Sequence, residues 1–508
     1  MTPPLPLSFL LLVTILSLQA CSGLSTHSRS ARTGILQKFV VSPQGDDGAV
    51  GSREQPWRTL SPLSRRLSSP GEGALVELTA GKYDRPLRLN SPTSLIIRSL
   101  GPVEVTLEIE NSGHKDGKVK IQQLQLTGQI RIKNSSIDIE DSQLTCETGI
   151  CIRFENTKVL VNRVSFSGAK KVMNLINMSN TEARLQGVRI NNGGHQAQIL
   201  AKENSRLTLS NSEVMASEGI GLSIIGESKA VLENSVLKNA KKFALHVDDS
   251  DVEVMSSTVG STNDIGVGVA RGSVQFSRSI VESSKVGSVY AFRSLLSFMN
   301  SRVENETGYG LIAEQSHLKG QESFFGQIER GTSSSIDDTL FLTGSETQFF
   351  LHKTQIENSR GFGLRVENGA HGVFSGEISN ARYGAVWINT KADEGVRIEN
   401  SKISRVFEGP GVLVSAGEKA VIVNSQIRGC SGGGLLVTVD SSVAVDGAQV
   451  TNNGNYDMAA YGTSNISTYS HKELDRAKTF ASCGEEAQIE FVSSSPTDEK
   501  AKSSLSCP

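Results

Sequence analysis

Between Gly221 and Tyr309 one pattern of apolar and polar positions is written four times. GLSIIGESKAVLENSVLKNAKKF is followed by ALHVDDSDVEVMSSTVGSTNDI, then GVGVARGSVQFSRSIVESSKV, then GSVYAFRSLLSFMNSRVENETGY. Each copy holds a small residue, a strand-like alternation of period two, a polar turn, a second alternation, an Asn/Ser-rich corner and one further apolar residue. Period-two alternation predicts strands. A repeat this short with no helical stretch predicts a solenoid, in which each copy buries its inner face only against its neighbours.

The register can be followed along the chain. The last inward position of the second strand falls on Leu232, Val254, Phe276 and Phe298, 22 residues apart each time. Backwards it falls on Leu209, Leu185, Val161 and Ile139; forwards on Gly320, Leu351, Val373, Ile398, Ile422 and Val445. Five residues after each of these stand Leu144, Phe166, Ile190, Val214, Leu237, Val259, Val281, Val303, Phe325, Ile356, Ile378, Ile403, Ile427 and Val450. All fourteen are apolar in a chain that is 37% hydrophobic, so the frame marks a buried face. Two residues past the slot, Asn211, Asn234, Asn300, Asn400 and Asn424 recur, which predicts tight corners with amides stacked in ladders. These features describe an all-β chain, a right-handed parallel β-helix, the hand following from the chirality of parallel crossovers. Fourteen coils at ~4.8 Å give a rod of roughly 65 Å.

In the strand that opens each coil, positions one and three after the small residue are assigned inward: Leu222 and Ile224, Leu245 and Val247, Val267 and Val269, Leu364 and Val366, Val412 and Val414, Leu435 and Val437. The position between them then faces out. It reads Ser223, His246 and Gly268 in early coils, and then Val289, Ile312, Phe341, Arg365, Val386, Leu413 and Leu436. Stacked one coil apart, these predict an apolar stripe about 30 Å long interrupted by a single Arg. Two coverings are considered: the tail from Asp457 to Pro508, laying Leu474, Ala477 and Phe480 of a short helix on the stripe, or an envelope protein or second copy docked there.

Residues 1–20 hold the apolar run Leu7 to Leu18, too short to span a membrane and placed as a signal peptide is. It closes in Leu18-Gln19-Ala20-Cys21, which resembles a bacterial lipobox and implies lipidation of Cys21 and a membrane anchor. The alternative is an ordinary signal peptide with a chance Cys. Either way the chain is expected to be exported, with residues 21–35 as a flexible tether.

From Phe39 the chain reads FVVSPQGDDGAVGSREQPWRTL, and further on AGKYDRPLRL. This resembles the opening of the pectin-lyase-like parallel β-helix proteins, including their lipoprotein members, on Ser42, Pro43, Gly45, Asp46, Pro56, Trp57, Thr59, Leu60, Gly81 and Tyr83. The resemblance implies an N-terminal cap over 36–86, followed by the β-helix over 87–456. Loops are expected at Gly331 to Thr339 and Thr390 to Gly395, where the coil length exceeds the norm. In the tail, 457–508, Ser470 and Glu473 form a capping box that predicts a short helix to Ser482.

Chemistry is thinly signalled. Of the cysteines, Cys146 is expected to pair with Cys151 and Cys483 with Cys507, leaving Cys430 as a free thiol. No Cys or His spacing suits zinc. A net charge of −2 without a basic stripe excludes nucleic acid as an expected partner. The outward positions of the second strand, Asp138, Arg184, Thr208, Glu253, Gln275, Lys319 and Arg397, mix signs as a solvated face does. In pectate-lyase-like relatives, carboxylates on such a face hold calcium. Here the acidic spots are Asp248, Asp249 and Asp251 in one turn and Asp337-Asp338 in the long loop, and turns favour Asp regardless. Val386-Trp387-Ile388-Asn389 faintly echoes a lyase strand that ends in a calcium-binding Asp, but Asn389 stands in that place and Trp387 is assigned to the core. No catalytic residue and no cofactor follow, calcium aside. The expectation is a non-catalytic envelope lipoprotein, periplasmic or surface-facing, that binds, adheres or assembles, with a carbohydrate or an envelope protein as its partner. The competing expectation is a carbohydrate-active lyase, hydrolase or epimerase. Aromatic content of 5% counts against sugar-stacking platforms.

Overall fold

A computed structural model describes residues 37–492, apart from 67–72, 91–93, 112–117, 307, 328–336, 393–394, 470–479 and 484–485. The expected signal peptide, Cys21 and the tether lie outside the described residues. The rest is an all-parallel β-solenoid of about 17 turns, a rod of roughly 80 Å at the ~4.8 Å inter-strand spacing. Its described helix is one short segment, Ser61–Arg66. Among the described residues no helix is long and apolar enough to cross a membrane.

Each regular coil contributes three strands, such as Ile220–Ile225, Lys229–Glu233 and Val236–Lys238. Each strand pairs in parallel with its equivalents above and below, giving three sheets around one apolar interior. Leu232, Val254, Phe276 and Phe298 stand in direct register in the second sheet and are at most 1% exposed. In the third sheet the fourteen residues from Leu144 to Val450 form one unbroken ladder, all buried. The slot expected at Val373 falls instead on Phe374, which pairs with Leu351 and Ile398. Two adjacent apolar residues make the period-two pattern degenerate there, and the larger ring takes the interior while Val373 faces out beside Phe350 and Arg397.

The corner asparagines Asn211, Asn234, Asn300, Asn400 and Asn424 all adopt φ between 46° and 49°, the left-handed region that Asn tolerates. The ladder at this corner, however, is made by serine. Backbone N–H groups of Ser212, Ser235, Ser257, Ser279 and Ser301 each donate to the hydroxyl of the serine one coil on, at 3.0–3.3 Å. The hydroxyl then donates to a carbonyl two residues back, as Ser257 does to Met255 at 2.8 Å. Buried N–H groups at a turn have no sheet partner, so the hydroxyl supplies one. Asparagine amides stack at the other corner, Asn180 on Asn156 and Asn156 on Asn134, at 2.8 and 3.1 Å.

At the N-terminal end Trp57 is fully buried, stacks on Phe39 at 4.4 Å and donates its indole N–H to Ala49. Asp47 accepts from the Arg58 and Thr59 N–H groups and from the Thr59 hydroxyl, which fixes the entry to the short helix. Parallel pairing already begins at Gln37–Val41 on Ala74–Leu78, and the described strands between 87 and 126 stack like later coils, with Val103–Glu110 on Gln125–Lys133. At the far end the coils run past 456. Met458–Tyr461 and Asn465–Tyr469 continue the first and second sheets, and Phe480–Cys483 and Gln488–Val492 extend each once more.

The described strands of the tail therefore continue the rod instead of folding back on the stripe. Phe480 lies in a strand rather than a helix, and residues 470–479, with Leu474 and Ala477, lie outside the described residues. A disulfide joins Cys146 to Cys151, Cα atoms 5.6 Å apart, between a third-sheet strand and the next first-sheet strand. Cys430 is buried and free. Cys507, and with it any bridge to Cys483, lies outside the described residues.

Candidate functional site

On the outer face of the first sheet the residue between the two inward positions of each coil stands in strict register with its equivalents. Following the pairing, the row reads Ser223, His246, Gly268, Tyr290, Ile312, Phe341, Arg365, Trp387, Leu413, Leu436 and Ala459. Two members of the expected stripe are corrected. Val289 and Val386 pair with inward valines and leucines and are 1% and 0% exposed. Tyr290 and Trp387 take the outward places, half-buried. The error has a simple origin, since a one-residue slip exchanges the faces of a strand. The small residue that precedes the first inward position is Ser288 and Ala385, not Gly287 and Gly384. Gly266, Gly310, Gly363, Gly411 and Gly434 hold that place in other coils, and counting from it would have found both aromatic residues.

The middle of the row is the densest. Arg365 lies between two rings, its guanidinium carbon 4.7 Å from the Phe341 centroid and 4.5 Å from that of Trp387. Such contacts stabilise a cation by about 0.5–2 kcal/mol. The edge of the same guanidinium donates to Glu367 at 2.7 and 2.9 Å and to Asp338 at 3.3 Å. Asp338 also accepts the Phe362 N–H at 2.7 Å. Phe362 packs on Trp387 at 5.1 Å, Tyr309 leans on Phe341 at 6.4 Å, and the Trp387 indole donates to Ser415. One coil-step away from Ile312, Tyr290 donates its hydroxyl to Glu314 at 3.1 Å. Low overall aromatic content thus conceals a local concentration on this face.

Burial lifts the Asp338 carboxyl above the usual carboxylate range, against the lowering pull of the Phe362 N–H and Arg365. Burial also raises the Tyr290 and Tyr309 phenols, with Glu314 and Asp338 respectively adding to it. For Arg365, burial works against the charge, but Glu367 and Asp338 outweigh it, so the guanidinium is held firmly charged.

Towards the N-terminal end the row becomes small and polar. His246 accepts or donates at 3.3 Å with Ser223 and lies under the Phe243 ring, 5.4 Å away. That ring spans Gly268 so closely that a Cβ there would sit 2.6 Å from Phe243. The Ser223–His246 pair does not make an acyl-transfer centre: Ser223 is 4% exposed, and Asp248 is engaged by Arg271 rather than by the imidazole. Towards the C-terminal end Leu436, Tyr456 and Tyr461 close over Ala459, a small apolar cluster separate from the interior.

The other expected sites resolve into ordinary contacts. Asp251 bonds Ser273 at 2.6 Å and Lys229 at 3.1 Å, Asp248 pairs with Arg271, and Asp249 occupies a left-handed corner at φ 50°. Asp338 is committed to Arg365. Among the described residues no group of three His, Cys, Asp or Glu converges as a metal site would require. On the second sheet Asp138 pairs with Lys118 and Arg397 with Glu399, and Arg184, Thr208, Glu253, Gln275 and Lys319 occupy outward places, as a solvated face requires.

The family model for the right-handed beta helix region matches residues 125–273, 174–325 and 317–472, together more than half of the chain. No curated protein matches it. Among solved structures, the chain is similar to the Vag8–C1 inhibitor complex (13% identity, 84% of this chain and 94% of that chain, TM-score 0.42). It is also similar to the Azotobacter vinelandii mannuronan C-5 epimerase AlgE4 A-module (12%, 76% and 89%, 0.27) and to the GH136 lacto-N-biosidase from Eubacterium ramulus (10%, 60% and 67%, 0.23).

Proposed function

The chain belongs to the right-handed β-helix family, and from that premise we propose that it is an exported, lipid-anchored scaffold that binds a partner at the cell envelope without turning it over. The observation that carries this reading is the outward row from Tyr290 to Leu436, a half-buried aromatic and aliphatic surface about 30 Å long with Arg365 at its middle. Water-facing sheet positions favour polar residues, and an apolar run in register on one outer face is the signature of a contact surface. The coils continue to Gln488–Val492 in line with the rod, so these described strands leave the row uncovered. Export and the anchor are supported by the apolar run Leu7 to Leu18 and by Leu18-Gln19-Ala20-Cys21. Radiolabelled fatty acid should enter the wild-type chain and not Cys21→Ser; equal labelling would remove the anchor from the proposal.

The competing reading, a carbohydrate-active enzyme, draws on Asp338, Glu367 and the rings beside them. Both carboxylates are spent on holding Arg365, which leaves neither a free general base nor an open nucleophile. Purified protein incubated with uronate polymers and calcium tests the choice, read by absorbance of unsaturated products and by new reducing ends. No product above buffer is expected; turnover would overturn the scaffold reading.

A further inference from the structure

We propose that the face from Tyr290 to Leu436 docks a protein segment that is basic at one end and apolar at the other; this rests on the binding-scaffold reading above. The two ends of the row differ in chemistry. Around Tyr290, Phe341 and Trp387 the same face bears Glu314 and Glu367 on the strands and Asp337 and Asp338 just before one of them. Glu367 and Asp338 hold the Arg365 guanidinium, Glu314 accepts from Tyr290, and Asp337 stands half-buried beside them, so carboxylates outnumber that guanidinium among the aromatic faces. Of the cations at the margins, Arg293 caps Phe292 and bonds Gln315, and Arg382 pairs with Glu408.

Aromatic faces beside carboxylates suit a cation, because ring quadrupole and anion pull in the same direction. The protein already demonstrates the fit, since Arg365 rests between Phe341 and Trp387 with its edge on Glu367 and Asp338. Beyond Trp387 the row turns aliphatic, Leu413 and then Leu436, leading to the apolar cluster at Ala459. An extended segment of roughly nine residues at ~3.3 Å each spans the distance. It would run along the rod with its basic end over Glu314 and its apolar end over the leucines. A polyuronate carries a carboxylate on every sugar and would be repelled by this surface.

Trp387 makes the test direct, because the other tryptophan, Trp57, is fully buried at the cap. The full chain is titrated with a synthetic nonapeptide carrying Arg and Lys at one end and Leu and Phe at the other, following tryptophan emission. Controls are an acidic version, a version with basic and apolar residues interspersed, and polygalacturonate. The ordered basic peptide should saturate, bind more weakly as salt rises, and lose about threefold in affinity against Glu314→Gln, the size of one exposed charge contact. The controls should bind at least tenfold more weakly. Absence of saturation, or equal binding of the acidic or interspersed peptide, would overturn the assignment. Binding of polygalacturonate without products would overturn this partner while leaving the binding reading in place, and products would overturn both.

Discussion

Ser235 donates its backbone N–H to the Oγ of Ser257, one coil further along the rod, at 3.0 Å. Both residues are almost fully buried, so that N–H has no water to fall back on. Ser257→Ala should therefore cost about 1–3 kcal/mol, the penalty of stranding a buried donor, although it removes only one oxygen. A urea midpoint equal to wild type would show that the serine ladder carries no stability.

Phe298 stacks on Phe276 at 4.9 Å and 5° and meets Phe325 edge-on at 5.3 Å. Its partner on the other side is Gly320, whose missing side chain leaves room for Leu351; a Cβ there would stand 2.8 Å from a Leu351 methyl. Phe298→Ala should cost about 3–5 kcal/mol through the cavity left behind. Gly320→Ala should cost about 1–3 kcal/mol by overpacking. Thermal or urea midpoints near wild type for both variants would contradict the interior as described.

Most of the fold was legible in the chain because a solenoid repeats its evidence. Leu144 to Val450 supplied fourteen independent readings of one register, and the structure keeps all of them. Reading failed where the local pattern was degenerate. Val373 and Phe374 are both apolar, and Gly287-Ser288 and Gly384-Ala385 each offer two small residues as the counting origin. A slip of one residue then sent Tyr290 and Trp387 to the wrong side. The contacts of Arg365 were not legible at all, because Asp338, Phe341, Glu367 and Trp387 reach it from three coils. Spacing in sequence says nothing of such a meeting until the register is known. The capping box at Ser470 and Glu473 lies outside the described residues, and only the end of the expected helix is overturned: Phe480–Cys483 is a strand fixed by pairing with Met458–Tyr461, which no local signal shows.

Burial under Phe243 depresses the His246 pKa below 6.5, and nearby Asp248 only partly offsets it. In the unfolded chain the imidazole takes up its proton more readily than in the folded one. Folding stability tied to this group is therefore present above about pH 6.5 and is lost as pH falls below it. Between pH 7.5 and 5.5 the wild-type urea midpoint should drop further than that of His246→Gln, which keeps a partner for Ser223. Parallel curves for the two proteins would show that His246 titrates as if exposed.

Cys430 is fully buried, and burial pushes its thiol up to about 11. Iodoacetamide at pH 8 should leave the peptide containing Cys430 unmodified in the native protein and alkylate it once the chain is unfolded. Native labelling at the unfolded rate would place that coil open to solvent.

An open first-sheet face is required if a partner is to dock there, and the two tryptophans report on it separately. Trp57 is fully buried in the cap, while Trp387 is half-buried on the outward row. Acrylamide quenching of the free full-length protein should divide the emission into two parts, one nearly inert and one accessible. Trp387→Phe should abolish the accessible part alone. Emission wholly protected from acrylamide in the wild-type chain would mean that the row is already covered, and the docking face would have to be abandoned.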